Sequence, residues 1–174
     1  MHQTSYKFMY RAVEKYLNDI PRLRVLDVGS LFVNYSYKPL FARDGWEYLG
    51  LDIVPGENVD IVVDSDGVWK NIEDESFDVV ISGQCLEHCK APWIIVKSME
   101  RVCKVGGLCV VAVPWTWNVH RHPIDCWRIL EDGMRYLMTE CCSFREIECF
   151  MGVKDTFFVG ERINASKNAR IVEN

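Results

Sequence analysis

Three carboxylates, a glycine and two imidazoles stand where this chain has the means to do chemistry. Asp27, Gly29 and Ser30 lie at the end of the apolar run VLDVGS, residues 25–30. Asp52 ends a second run, EYLGLDI, 23 residues beyond Gly29. A carboxylate at that separation, about 20 residues past a glycine that admits a ligand, suits a ribose diol. Both hydroxyls donate and the ionised acid accepts. The second constellation is His120, His122 and Asp125, within WTWNVHRHPIDCWRI at 115–129. Imidazole titrates near neutral pH, so His120 or His122 is the candidate general base and Asp125 the acid that orients it. His-x-His with an acid also resembles metal-ligand chemistry, as do Cys85 and Cys89 around Glu87-His88. Buried thiols and a catalytic base are the preferred readings, and no metal is assigned. Arg121 and Arg128 could hold an acidic group on an acceptor, unless Arg128 simply pairs with Asp125. Trp115, Trp117 and Trp127 could wall a pocket or stack on a sugar or aromatic ring.

The residues after Gly29 narrow the ligand. A pyrophosphate needs bare backbone at a helix N-terminus, which several glycines normally supply. Here Ser30, Leu31, Phe32 and Val33 follow instead. They leave too little room for a diphosphate. A cofactor with adenine and ribose but no phosphate fits better, and S-adenosylmethionine is the candidate. A lone Asp-x-Gly after a strand is also often only a turn; Asp52 at the matching spacing strengthens the ligand reading.

These groups need a scaffold, and the hydrophobic pattern supplies one. Residues 5–18 carry Tyr6, Tyr10, Val13 and Leu17 on one helical stripe, within an N-terminal segment 1–20. Strands are predicted at 24–28, 46–53, 59–64, 77–83 and 108–114. Helices are predicted at 36–43, 92–104 and 131–142, with Gly106-Gly107 stopping the second. Two final strands, 144–151 and 156–163, are joined too closely to be parallel. Residues 164–174 read as a flexible tail. Strands alternating with helices give an α/β, Rossmann-like, doubly wound and mostly parallel sheet with an antiparallel edge strand, in three α/β/α layers. Residues 1–174 read as a single domain.

The stretches VLDVGS, EYLGLDI, DIVVDSDG, SFDVVISGQCLEH and MERVCKVGGLCVVAVP, in this order over residues 24–114, resemble the class I S-adenosylmethionine-dependent methyltransferases. HRHPIDCWRILEDGMRYL resembles a methyltransferase type 11-like subgroup in which a His-x-x-Pro-x-Asp-x-x-Arg run follows the fifth strand. The resemblance implies a cofactor set of Asp27, Gly29, Ser30, Asp52, Ile53, Asp64, Ser65 and Gln84. In it Gly29 admits the cofactor and Asp27 lies near its methionine end. Asp52 holds the ribose, Asp64 and Ser65 meet the adenine amine, and Gln84 borders the transferred methyl. Blander roles remain open: a loop cap for Asp64, backbone satisfaction for Gln84, packing for His88. The glycine-rich loop is reduced to one glycine. No Asn-Pro-Pro-Tyr-like motif is present, which argues against methylation of nucleic-acid bases.

Composition bounds the partners. The 174 residues carry 20 Lys and Arg against 25 Asp and Glu, a net charge of −5. Without a basic cluster a large nucleic-acid footprint is not expected. Eight cysteines lie mostly in apolar runs, as in a reducing compartment. No apolar leader or membrane-length run is seen, so a cytoplasmic, soluble protein is expected. The expected activity is methyl transfer, to oxygen of a small-molecule or glycan acceptor. A nicotinamide-dependent oxidoreductase and a non-catalytic binding subunit of the same fold are the alternatives. Oligomeric state and acceptor identity are not legible.

Overall fold

A computed structural model describes residues 3–65 and 67–164. The predicted tail lies outside these apart from Asn164. The elements run α1 (Gln3–Tyr16), β1 (Leu23–Val28), β2 (Trp46–Asp52), β3 (Ile61–Val62), β4 (Phe77–Gly83), α2 (Pro92–Val102), β5 (Cys103–Pro114), α3 (Glu131–Arg135), β6 (Phe144–Met151) and β7 (Asp155–Arg162). The seven strands form one sheet in the order β3-β2-β1-β4-β5-β7-β6. The first five are mutually parallel. β7 runs antiparallel to β5 and to β6. The predicted doubly wound, mostly parallel architecture with an antiparallel edge is therefore observed.

Both faces of the central strands are buried, which is why those strands are apolar almost throughout. Val25, Val79, Ile81, Val110 and Ala112 point to one face and pack with Phe8, Met9, Val13, Tyr37 and Phe41. Their neighbours Leu26, Val28, Val80, Val111 and Val113 point to the other and pack with Val96, Met99, Met134 and Met138. This alternation is the period of two that a strand imposes.

The connecting segments depart from the sequence reading. The predicted helix at 36–43 is one short turn, Lys38–Leu40. Tyr37 and Phe41 on either side of it cover the sheet, each 1% exposed, so side chains do what a longer helix would have done. β3 shrinks to two residues because it is an edge strand; Val62 is exposed there. Among the described residues its link to β4 has no helix: Trp69 and Ile72 fill the core, and Arg101 of α2 donates to both of their carbonyls. α2 ends at Val102, not at the glycine pair. Gly106 (φ +83°) and Gly107 instead form a bulge inside β5: pairing passes from Phe77–Cys103 to Val79–Leu108. The predicted helix at 131–142 continues beyond α3 as a wider turn, Tyr136–Glu140, closed by Cys141 N–H donating to the Tyr136 carbonyl.

Candidate active site

Strand order reverses between β1 and β4, and ligands in open parallel sheets bind beyond the carboxyl ends at such a point. Asp27, Gly29, Asp52 and Gln84 all lie at this end. Asp27 is 3% exposed and accepts a hydrogen bond from the Tyr48 hydroxyl. Burial pushes its carboxyl up to about 7, with Asp52 nearby adding to the rise and Tyr48 opposing it. Gly29 has φ +81°, the left-handed region that favours glycine. A Cβ there would stand 2.6 Å from both Cβ and Sγ of Cys85. The tip of β4 thus closes onto the turn after β1.

That turn is sewn to the loop after β2. Gly29 N–H and Ser30 N–H both donate to the Leu51 carbonyl, at 2.8 and 3.1 Å. Ser30 Oγ donates to the Asn58 carbonyl, and Asn58 Nδ2 returns the bond to the Ser30 carbonyl, each at 2.9 Å. Asp52 Oδ1 accepts from Ile53 N–H (2.7 Å) and Val54 N–H (3.2 Å). Its Oδ2 accepts from Leu31 N–H (3.1 Å). An ionised carboxylate has about four lone-pair sites, so the acid is largely engaged. Ile53 and Val54, side by side at the mouth, are 43% and 46% exposed. Asp64 and Ser65, beyond β3, are exposed as well.

Gln84 takes a left-handed backbone (φ 61°). Its amide donates to Asp155 Oδ1 (3.1 Å), while Asp155 Oδ2 accepts from Thr4 of α1. Its side chain is thus directed to a buried acid at the start of β7.

The 115–129 segment folds over the turn that follows β4. Glu87's carbonyl accepts from Cys126 and Trp127 N–H, at 2.8 and 3.2 Å, and Trp127 Nε1 donates to the Cys89 carbonyl at 2.8 Å. Arg128 grips Asp125 with two bonds, 2.6 and 2.9 Å, and also donates to the Trp117 and Asn118 carbonyls. This fork holds Asp125 well below the usual carboxylate range. Arg128 is therefore committed to the segment itself and is not available for an acidic acceptor. Asp125 Oδ2 accepts from the backbone N–H of His120 (2.7 Å), and the His120 ring Nδ1 lies 3.4 Å away. His88, His120 and His122 come together, with ring centroids 4.8 Å apart for His88–His120 and 5.7 Å for His88–His122.

Two members of this cluster, Glu87 and His88, entered the sequence reading only as a metal-like alternative flanked by Cys85 and Cys89, with packing preferred for His88. Glu87 is fully buried and His88 partly so, both in the short turn after β4. Burial pushes the Glu87 carboxyl up to about 8 and lowers the His88 imidazole. The signal was the adjacent Glu-His pair directly after a buried strand, where an acid has no solvent to turn to.

The comparisons accord with this geometry. A family model described as a methyltransferase domain matches residues 26–111. An uncharacterized methyltransferase of Mycobacterium avium (strain 104) is 32% identical over 82 residues, 41% of this chain and 32% of that protein. The chain thus spans about a third of the curated relative it matches. Among solved structures, a Burkholderia thailandensis 1,6-didemethyltoxoflavin-N1-methyltransferase with bound 1,6-didemethyltoxoflavin and S-adenosylhomocysteine has a TM-score of 0.69 at 14% identity, over 92% of this chain and 79% of that one. The cyclase SpnF gives 0.71 at 13% identity, over 91% and 81%. The fold is that of these Rossmann-like proteins. The domain match and the methyltransferase relative support a methyltransferase as the class of enzyme, with S-adenosylmethionine as cofactor. The residues fit that group in kind: a buried acid, a strand-tip carboxylate and exposed aliphatic side chains where a flat base would lie.

Proposed function

We propose that this chain is an S-adenosylmethionine-dependent methyltransferase acting on oxygen of a small-molecule or glycan acceptor. One observation carries the reading: at a single switch point a buried carboxyl (Asp27), a left-handed glycine (Gly29) and a carboxylate (Asp52) flanked by exposed Ile53 and Val54 lie together. Asp52 holds the ribose diol, exchanging its Leu31 N–H partner for a hydroxyl. Ile53 lies against the adenine, whose amine meets Asp64 and the Ser65 backbone. Asp27 and the Gly29–Ser30 turn face the methionine end, with Gln84 beside the methyl.

Bound there, the cofactor would supply a sulfonium-bound methyl group whose neutral thioether by-product needs no proton from the protein. The protein's work is therefore orientation and exclusion of water; proximity of this kind is worth on the order of 7–11 kcal/mol. A hydroxyl acceptor must lose its proton, and a positioned base adds roughly 10²–10⁴-fold. His120 or His122, steadied by the segment that Asp125 and Arg128 lock, takes that role. This segment carries the His-x-x-Pro-x-Asp-x-x-Arg run. Trp117 and Trp127, together with Trp93, which stacks edge-on to Trp127 at 6.0 Å, each expose about two fifths of their surface. Such faces suit a sugar or aromatic acceptor. Among the described residues no helix is long and apolar enough to cross a membrane; the proposed setting is the cytoplasm.

Calorimetry with S-adenosylhomocysteine and with a nicotinamide dinucleotide tests the reading. Binding of the first alone is expected. Binding of the dinucleotide alone would replace it with oxidoreductase chemistry. Binding of neither would leave a non-catalytic member of the fold.

A further inference from the structure

The cluster of Glu87, His88 and His120 has a property that proton transfer does not require. One ligand atom from each of the three lies within 4.8 Å of the others. Both carboxylate oxygens of Glu87 are buried and lack a hydrogen-bond partner, and Oε1 lies 3.7 Å from His88 Nε2. A buried acid left without partners is costly, and one of its oxygens stands beside the His88 ring. Each imidazole is oriented from behind. His88 Nδ1 is 2.6 Å from the Ile124 carbonyl and His120 Nδ1 is 3.1 Å from the Asn118 carbonyl. A carbonyl accepts only, so each Nδ1 donates to it, and His88 turns its Nε2 toward Glu87. This is the outer-shell arrangement of metal-ligating histidines. The Cys126 and Trp127 bonds to Glu87's carbonyl clamp the two segments together, which brings the three side chains to one place.

We propose that Glu87, His88 and His120 bind a divalent d-block cation of the zinc type. Two imidazoles and a carboxylate suit such an ion and not magnesium or calcium, which take all-oxygen sites. Ligand atoms around tetrahedral zinc stand about 3.3 Å apart for bonds of about 2.0–2.1 Å. The widest gap therefore closes by about 1.5 Å. His120, on a loop with 28% of its side chain exposed, has the freedom to supply that movement. Three protein ligands leave an open position, the form of a reactive site rather than a closed structural one. The site does not depend on the methyl-transfer reading, because metal binding is measured on the chain alone; with His120 on the ion, the base of that reading is His122.

The test is titration of the full chain, stripped with a chelator, with Co²⁺ as a spectroscopic stand-in for zinc, followed by displacement with Zn²⁺. One equivalent is expected, with a tetrahedral cobalt spectrum and no sulfur-to-cobalt charge-transfer band. Glu87→Gln and His120→Ala are each expected to weaken binding by more than the roughly 10–100-fold typical of losing an outer-shell partner. Cys89→Ser is expected to leave binding unchanged. His120→Ala, on the loop, is expected to melt like the parent without metal, which separates ligand loss from unfolding. Absence of saturable binding would overturn the proposal. So would unchanged affinity in His120→Ala, or a thiolate band that disappears with Cys89→Ser, which would move the ion to the cysteine pair.

Discussion

Replacing Asp52 by alanine tests the proposed cofactor cleft most directly. In the free protein its carboxylate accepts from Leu31, Ile53 and Val54 amides. A ribose diol offers two hydroxyls, but one must displace the Leu31 N–H, so the net gain is about one hydrogen bond to a charged acceptor. Such a bond is worth about 1.5–3 kcal/mol. At about 1.4 kcal/mol per decade, Asp52→Ala should weaken S-adenosylhomocysteine binding about 10- to 150-fold. Calorimetry on the two proteins, with denaturation curves to confirm folding, measures this. Asp52→Asn, which keeps one carbonyl acceptor, should fall between them. An alanine variant with unaltered affinity and an intact fold would refute the assignment of the diol to this acid.

Three other outcomes are expected. Gly29→Ala should destabilise the fold by about 2–5 kcal/mol, from left-handed strain of about 1–2 and overpacking of about 1–3 against Cys85. In a Cys85→Gly background only the strain should remain, and an equal cost in both backgrounds by urea denaturation would contradict the contact. Asp27, raised from 3.8 to about 7 by burial, favours the fold when protonated. Its contribution is full below about pH 4 and lost as pH rises through 7, so Asp27→Asn should be stabilised relative to the parent at pH 8 and not at pH 4; parallel stability–pH profiles would exclude this. All eight thiols are free and Cys126 is exposed, whereas Cys103, Cys109 and Cys142 are buried. A thiol reagent should therefore modify Cys126 early and those three only on unfolding, and early labelling of Cys109 would contradict the core packing.

The sheet was legible because its strands are buried on both faces. FDVVISG and VLDV have few polar positions that a helix or loop would tolerate, and their boundaries fall within a residue of those expected. The turns after Gly29 and Asp52 were legible for a related reason, since a glycine or an acid at a strand tip stands out against an apolar run. The connections were harder to read. The 36–43 segment has the pattern of an amphipathic turn, yet Tyr37 and Phe41 cover the sheet without a helix between them. Gly106-Gly107 resembles a helix stop in any sequence, and only its pairing opposite Asp78 reveals a bulge. The imidazole cluster depends on residues more than 30 positions apart, 88 against 120, which no local periodicity links. Arg128's commitment to Asp125 was one of two readings of the same spacing, and only the fork geometry separates them.

Asp155 receives Thr4 from the first turn of α1 on one oxygen and Gln84 from the tip of β4 on the other. The helix is thereby fastened to the cleft floor as well as stacked on the sheet. Undocking it would strip a partner from an acid with no access to water, so detachment of the helix and disordering of the β4 tip should happen together. Protection of the α1 and Gln84 amides from hydrogen exchange should accordingly rise and fall in step.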